Sequence, residues 1–346
     1  MSDQRRTGSP MSDQRRTGAP MTTSVTAPLL EVRDLGVDFD IGGGQVHAVR
    51  GVSFTLHPRD RLGIVGESGC GKSTVVLAVM GLLPPNAAVS GQVLLDGVDI
   101  LAGGDSGMRP HRWRDISMVF QGAMNAFNPV RTVGDQIAEP IRMHRKASRR
   151  DADKSVAELL DMVGIPAARA ACYPHEFSGG MRQRAALAMA LACGPKVLLA
   201  DEPTTALDVI VQAEILQLLR RVSDDLGVAL VFISHDLPAV AQVTERVAVM
   251  YAGRVVEQAP VSRLLTAPRH PYAAALLAAI PRPGAAATVR SIPGEPPRLD
   301  TTVTGCAFAP RCASVLDNCR ITEPPNIFDG EGVVACHLAA PVGLLQ

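Results

Sequence analysis

Gly66-Glu67-Ser68-Gly69-Cys70-Gly71-Lys72-Ser73-Thr74 decides how the chain is read. It fits G-x-x-x-x-G-K-[ST], the P-loop pattern. Glycines let successive backbone N–H groups curl around a phosphate with no Cβ in the way. Lys72 brings positive charge to β- and γ-phosphates, and the Ser73 hydroxyl can sit on Mg²⁺. A helix starting here adds its positive dipole end. The flanks agree: Arg61–Val65 is a short apolar run of buried-strand type, and Lys72 to Leu83 is apolar at helical spacing. The chain has only four lysines, at 72, 146, 154 and 196. One of them stands where a compact ammonium suits a phosphate cradle better than a guanidinium.

Upstream, residues 1–28 repeat Met1 to Gly8 at Met11 to Gly18 and are polar, so a disordered leader is expected. From Leu29 the pattern changes. Leu30 to Phe39 alternates apolar and polar residues, Gly42-Gly43-Gly44 turns, and Gln45 to Leu56 returns, which predicts an antiparallel hairpin. Downstream, Gly91–Gly97 and Asp115–Phe120 read as short strands, the second ending at Gln121. Thr132 to His144 and Ser148 to Val163 have helical periodicity and form an insertion between sheet segments. Ser178 is a natural N-cap for a helix running to about Cys193. Strands at 196–200 and 228–233 alternate with a helix at 209–226, so a mostly parallel sheet follows. Residues 267–346 are rich in proline, hold four of the seven cysteines, and read as a separate small module.

The 346 residues carry 34 basic and 34 acidic side chains, so nothing pulls the whole chain toward nucleic acid. No apolar run reaches the ~18 residues that span a bilayer and no signal peptide is visible, so a soluble chain is expected. Val197 to Glu202 has four apolar residues and then two carboxylates. It fits a strand that carries Asp201 to the sheet edge to hold Mg²⁺, with Glu202 placed to polarise a water. Alone, it could equally be a surface Asp-Glu pair, as Gln121 could be a loop amide and His235 a strand-end histidine.

Read together, the P-loop, Gln121, Phe177-Ser-Gly-Gly-Met-Arg-Gln-Arg184, Asp201-Glu202, Ala206-Leu207-Asp208 and His235 resemble the ATP-binding cassette (ABC) family in order and spacing over roughly residues 29–266. The resemblance implies an α/β P-loop NTPase fold. A mostly parallel sheet core would carry an antiparallel β subdomain, a helical subdomain at about 122–193, and a small cysteine-containing extension from 267 to 346. It implies ATP and Mg²⁺, with the nucleotide on Gly66, Glu67, Ser68, Gly69, Cys70, Gly71, Lys72, Ser73 and Thr74. Ser73, Gln121 and Asp201 would serve the metal. Glu202 would be the base, His235 the γ-phosphate sensor, and Gln121 the link between metal and transporter. Two cassettes would close head to tail, so that Ser178, Gly179 and Gly180 face ATP held by a partner and Asp208 lines the interface. Phe39 is the candidate for stacking on adenine, with His47 or a glycine-loop residue as the alternative.

Gln121–Pro129, Tyr173–Arg184, Asp208–Ala213, His270-Pro-Tyr272 and the tail around Gly305–Cys312 are similar to ATPase subunits of dipeptide and oligopeptide importers. That branch implies a paralogous second cassette, two transmembrane permease subunits, an extracytoplasmic substrate-binding protein, and a peripheral place on the cytoplasmic face of the inner membrane. A non-transport ABC ATPase acting on nucleic acid or ribosomes is the rival reading. A silent regulatory cassette is a third, which the presence of Lys72, Asp201, Glu202 and His235 does not support. Cys306, Cys312, Cys319 and Cys336 are spaced C-x5-C-x6-C-x16-C. Clustered thiols in a cytosolic chain favour metal over disulfides. The family resemblance suggests a [4Fe–4S] cluster, Zn²⁺ is the second option, and free buried cysteines the third. Cys70 lies beside a helix N-terminus, which would lower its thiol pKa and make it reactive; a tolerated small residue is the alternative and the favoured reading.

Overall fold

A computed structural model describes residues 27–122, 126–280, 291–301 and 303–339. The duplicated leader therefore lies outside the described residues, apart from its last two positions.

The expected hairpin forms. Leu30–Asp40 pairs antiparallel with Gln45–Leu56, from Leu30↔Leu56 to Asp40↔Gln45. Ala87–Leu95 pairs on the other side of Leu30–Asp40, and Val98–Asp99 completes a four-stranded antiparallel sheet. Alternation along Leu30–Asp40, reset by an irregularity between Val32 and Leu35, puts Leu30, Val32, Leu35 and Val37 inward, where they join Ile64, Val75, Val79 and Met250 in one apolar cluster.

The second sheet has eight strands, in the order Asn326–Phe328, Val333–Ala335, Arg254–Pro260, Arg246–Tyr251, Arg61–Val65, Ala229–Ser234, Val197–Asp201, Ile116–Val119. The last five run parallel. Arg61–Val65, Val197–Asp201 and Ala229–Ser234 are buried along their whole length, as central parallel strands must be when both faces are covered. Helices begin where short polar side chains accept from orphan N–H groups: Thr132 caps Val133–Arg145, Ser148 caps Arg149–Met162, Ser178 caps Gly179–Ala190 and Asp208 caps Val209–Leu226. The helix after the P-loop, Lys72–Val79, is shorter than its apolar pattern, because Met80 closes it and Gly81 turns at φ +59°. The two insertion helices pack through Val133, Ile137, Ile141, Ala152, Val156 and Leu160 into the same cluster as Leu198, Phe232 and Val249.

The tail is not set apart as its composition suggested. Val333–Ala335 pairs with Arg254–Pro260 through Glu257↔Val334 and Gln258↔Val333, and Asn326–Phe328 adds outside it. Tyr272, Ala273, Leu277 and Phe308 sit in the main core. Tyr251, Tyr272 and Phe308 form an aromatic knot, with ring centroids 4.5 to 5.3 Å apart. Burying a ring of this size is worth on the order of 2–3 kcal/mol, which ties the tail to the sheet. Buried Glu257 secures the turn into the tail by accepting from the Arg269 and His270 N–H groups at 2.8 to 3.1 Å.

Candidate nucleotide site

The parallel register gathers the motifs. Val65 lies opposite Ser234, Asp201 opposite Ile233, and Val119 opposite Ala200. The residues that follow these strands, the P-loop, His235, Glu202 and Gln121, therefore emerge along one carboxyl edge. That edge is where open parallel sheets bind ligands.

The P-loop is built around its glycines and its lysine. Gly71 sits at φ +104°, and a Cβ there would lie 2.3 Å from the Ala48 carbonyl oxygen. A Cβ on Gly69, at φ +78°, would point into open space. Lys72 is buried, with Nζ donating to the carbonyls of Gly66 at 2.8 Å and Glu67 at 2.9 Å, so the ammonium is held against the inside of its own loop. The Ser73 hydroxyl donates to Asp201 at 3.1 Å. Burial pushes the Asp201 carboxyl above its ordinary range, the Ser73 hydrogen bond opposes this, and the neighbouring Glu202 charge adds to it. A hydroxyl and a buried carboxylate in contact, beside a lysine, are the hard oxygen donors that Mg²⁺ takes, so the residues present fit the metal.

Glu202 joins the rest. One carboxylate oxygen accepts from the Gln121 side-chain amide at 3.0 Å and from the Thr205 hydroxyl at 2.9 Å. The other lies 3.3 Å from the His235 ring. The Glu202 side chain is 14% exposed and His235 is 60% exposed, so a shielded carboxylate meets an open histidine at the edge. Glu202 has φ +44° and Ala206 φ +65°, left-handed positions that side chains rarely take. Such strain costs about 1–3 kcal/mol per residue and persists where the surroundings fix a functional group. Thr205 carried no signal in the sequence beyond its place after Asp201-Glu202.

The remaining motif residues lie elsewhere. Ser178 is exposed and accepts from the Met181 N–H at 3.3 Å, heading its helix, while Gly180 packs so closely that a Cβ would lie 2.5 Å from Val211. Asp208 accepts from the Ile210 and Val211 N–H groups, beside the exposed side chains of Val209 and Ile210. Phe39 is half-buried against the antiparallel-sheet core. His47 is held by Asp38 at 2.6 Å and borders a cleft of about 240 Å³ with Arg50 and Leu299.

The ABC transporter family pattern matches residues 49–205, and the pattern described as the C-terminal region of oligopeptide/dipeptide transporters matches residues 256–319. The dipeptide transport ATP-binding protein DppD of Bacillus subtilis is 46% identical over 316 residues, covering 90% of this chain and 94% of that protein. The chain belongs to the ABC transporter family. A putative peptide import ATP-binding protein of Brucella ovis is 46% identical over 86% of this chain and 93% of its own length. The oligopeptide transport ATP-binding protein OppD of Mycobacterium tuberculosis is 48% identical over 91% of this chain and 52% of its own length. Among solved structures, the ADP- and Pi-bound dimeric ATP-binding cassette MJ0796 is 27% identical, with a TM-score of 0.61 over 67% of this chain and 98% of that one.

The cysteines bear on two expectations. Cys70 is buried, and burial pushes its thiol pKa up, against the pull of Lys72 and the loop amides, which favours the tolerated small residue over the reactive thiol. The tail cysteines are gathered, Cys306 near Cys319 and Cys336, and Cys336 near Cys312 and Cys319. Burial raises the thiol pKa of Cys306 and of Cys336. Yet among the described residues no group of three or more His, Cys, Asp or Glu is arranged to hold a metal ion, so neither the [4Fe–4S] cluster nor Zn²⁺ finds a formed site.

The sequence reading missed who holds Glu67. Its backbone N–H donates to the Tyr272 hydroxyl at 2.9 Å, and its carboxylate takes both Nη atoms of Arg311, at 2.7 and 2.9 Å. The signals in the sequence were His270-Pro-Tyr272 and Gly305–Cys312, which hold Tyr272 and Arg311 and carry the importer resemblance without pointing to a partner.

Proposed function

We propose that this cassette is the ATP-hydrolysing subunit that powers import of di- or oligopeptides, or related small ligands, through a membrane ABC transporter. The observation that carries it is the joining, in one sheet, of a complete phosphate-site edge with a tail of the oligopeptide/dipeptide type. Residues 29–266 form the ATPase part in this reading, with a helical subdomain at about 122–193, and 267–346 the extension. Gly66 to Thr74 hold the phosphates, and Phe39 takes the adenine. Ser73, Asp201 and Gln121 hold Mg²⁺, which when bound neutralises charge building on the phosphates. Glu202 accepts the proton of the attacking water, Gln121 and Thr205 orient its carboxylate, and His235 meets the γ-phosphate. Ser178, Gly179 and Gly180 serve the ATP of a second cassette, and Val209 and Ile210, exposed beside Asp208, supply apolar surface for that contact.

The partners in this reading are a paralogous cassette, two permease subunits and an extracytoplasmic binding protein, with this chain peripheral on the cytoplasmic face of the inner membrane. Among the described residues no helix is long and apolar enough to cross a membrane, which agrees with spans supplied by other chains. A [4Fe–4S] cluster on Cys306, Cys312, Cys319 and Cys336 rests on donor chemistry alone: four thiols near one another. An anaerobic preparation without iron and acid-labile sulfide removes that part. The whole reading is tested by phosphate release from the chain alone and with its membrane partners in vesicles. Activity that rises on assembly and with peptide-loaded binding protein supports it. Full activity alone, or stimulation by nucleic acid or ribosomes, moves the chain to the non-transport class.

A further inference from the structure

Every polar group of Glu67 is engaged. Its N–H is held by Tyr272, its carbonyl by Lys72, and its carboxylate by Arg311. Arg311 is built for the task. Its side chain is 4% exposed, lies 5.8 Å over the Tyr251 ring and 6.0 Å from that of Phe308, and donates to the Pro293 carbonyl at 2.9 Å and the Tyr251 hydroxyl at 3.2 Å. The Glu67 hydrogen bonds hold its guanidinium pKa even higher than usual. Pro296, Pro297 and Leu299 of the tail then wall a cleft of about 310 Å³ against Glu67, Ser68 and Gly69.

A carboxylate inside a loop that receives a polyanion is an electrostatic fault unless it is neutralised and turned aside. A bidentate guanidinium does both. Because the Glu67 carbonyl also takes the Lys72 ammonium, its orientation is passed on to the charge that meets the phosphates. We propose that Arg311 is a positioning residue of the nucleotide site, a strap from the C-terminal extension that cancels the Glu67 charge and fixes the P-loop for ATP. The strap extends the proposed function and rests on its reading of Gly66 to Thr74 as the ATP cradle. A wild-type chain that fails to bind MgATP overturns that reading itself, whereas the variants below address the strap.

The test is MgATP affinity of the full-length chain, by displacement of a fluorescent ATP analogue, with thermal unfolding of each variant alongside. R311M weakens binding about tenfold, the scale on which an unpaired charge a few ångströms from another acts. R311M/E67Q regains at least about threefold over R311M, because the stranded charge is gone. The loss in R311M also shrinks in ~1 M salt, where the Debye length is about 3 Å. A strap that merely holds the tail in place gives a lower unfolding temperature, with no recovery on adding E67Q. A folded R311M that binds MgATP like wild type, or a double variant no better than R311M, overturns the proposal. Should R311M not fold, R311K decides: a folded R311K that binds MgATP more weakly than wild type, and recovers on adding E67Q, sustains the strap, and wild-type affinity refutes it.

Discussion

His270 gives the tail an acid-sensitive joint whose size follows from its burial. The residue is 1% exposed, packs 6.0 Å from the Phe308 ring, and accepts from the Tyr272 N–H at 3.0 Å as N-cap of Pro271–Ala278. Burial lowers its pKa from 6.5 to about 4. The sign follows directly. Below pH 6.5 the unfolded chain binds a proton that the native chain refuses until about pH 4. The stability that the neutral ring contributes is therefore fully present above 6.5 and lost as pH falls toward 4. At about 1.4 kcal/mol per pH unit, the loss totals about 3 kcal/mol. Asp329 acts in a lower window, since burial raises its pKa but Arg269 and the Glu331 and Gly332 amides hold it at about 2. Glu257, raised by burial, works with the opposite sign and is common to both proteins compared. His270→Asn keeps an acceptor for the Tyr272 N–H and removes the titration. Urea unfolding at steps between about pH 7.5 and 4.5 should give a shallower acid slope in H270N, by about 1.4 kcal/mol per unit below 6.5. A constant offset reports only lost ring packing. Equal slopes in the two proteins refute the reasoning.

Glu202→Gln should lower phosphate release by the assembled transporter about 10²- to 10⁴-fold while MgATP binding persists, as for loss of a general base that binding does not need. Gly71→Ala must place a Cβ 2.3 Å from the Ala48 carbonyl at φ +104°. It should lose MgATP binding and about 1–3 kcal/mol of stability, read by nucleotide displacement and urea unfolding. Cys70 is buried with a raised pKa, so iodoacetamide near pH 7.5 should label it far more slowly in the folded chain than in urea, and C70S should keep its MgATP affinity. Rapid labelling of the native protein, mapped by mass spectrometry, would contradict this.

What was legible in the sequence was what local chemistry writes there. Ser148, Ser178 and the apolar pattern of 209–226 marked helices because capping and periodicity are short-range. Gly66 to Thr74 and Asp201-Glu202 were legible because phosphate and metal chemistry tolerates few residue types at fixed spacing. Contacts between distant segments were not. Nothing near Glu67 announces Arg311, 244 residues away. Two readings of the Cys70 thiol stood open because its helix end is written in the loop, while its burial comes from the neighbouring elements. Proline and cysteine content made the tail look separate, since strands as short as Asn326–Phe328 and Val333–Ala335 leave almost no periodic signal.

Sheet order explains why tail and P-loop meet at all. Arg246–Tyr251 pairs directly with Arg61–Val65, Val65 opposite Val249. Tyr251 therefore stands beside the start of the P-loop whatever follows it in the chain. The chain then turns back through Arg254–Pro260, and the Tyr251 ring stands as an apolar anchor for segments that follow. Tyr272 and Phe308 take it, and both bring polar atoms to the loop: the Tyr272 hydroxyl directly, and Arg311 three residues beyond Phe308. A cassette that ended after Arg254–Pro260 would keep its phosphate edge but leave the Glu67 carboxylate without its guanidinium. Glu67 and the extension are thus two halves of one device, and an extension without Arg311 would favour a neutral residue in place of Glu67.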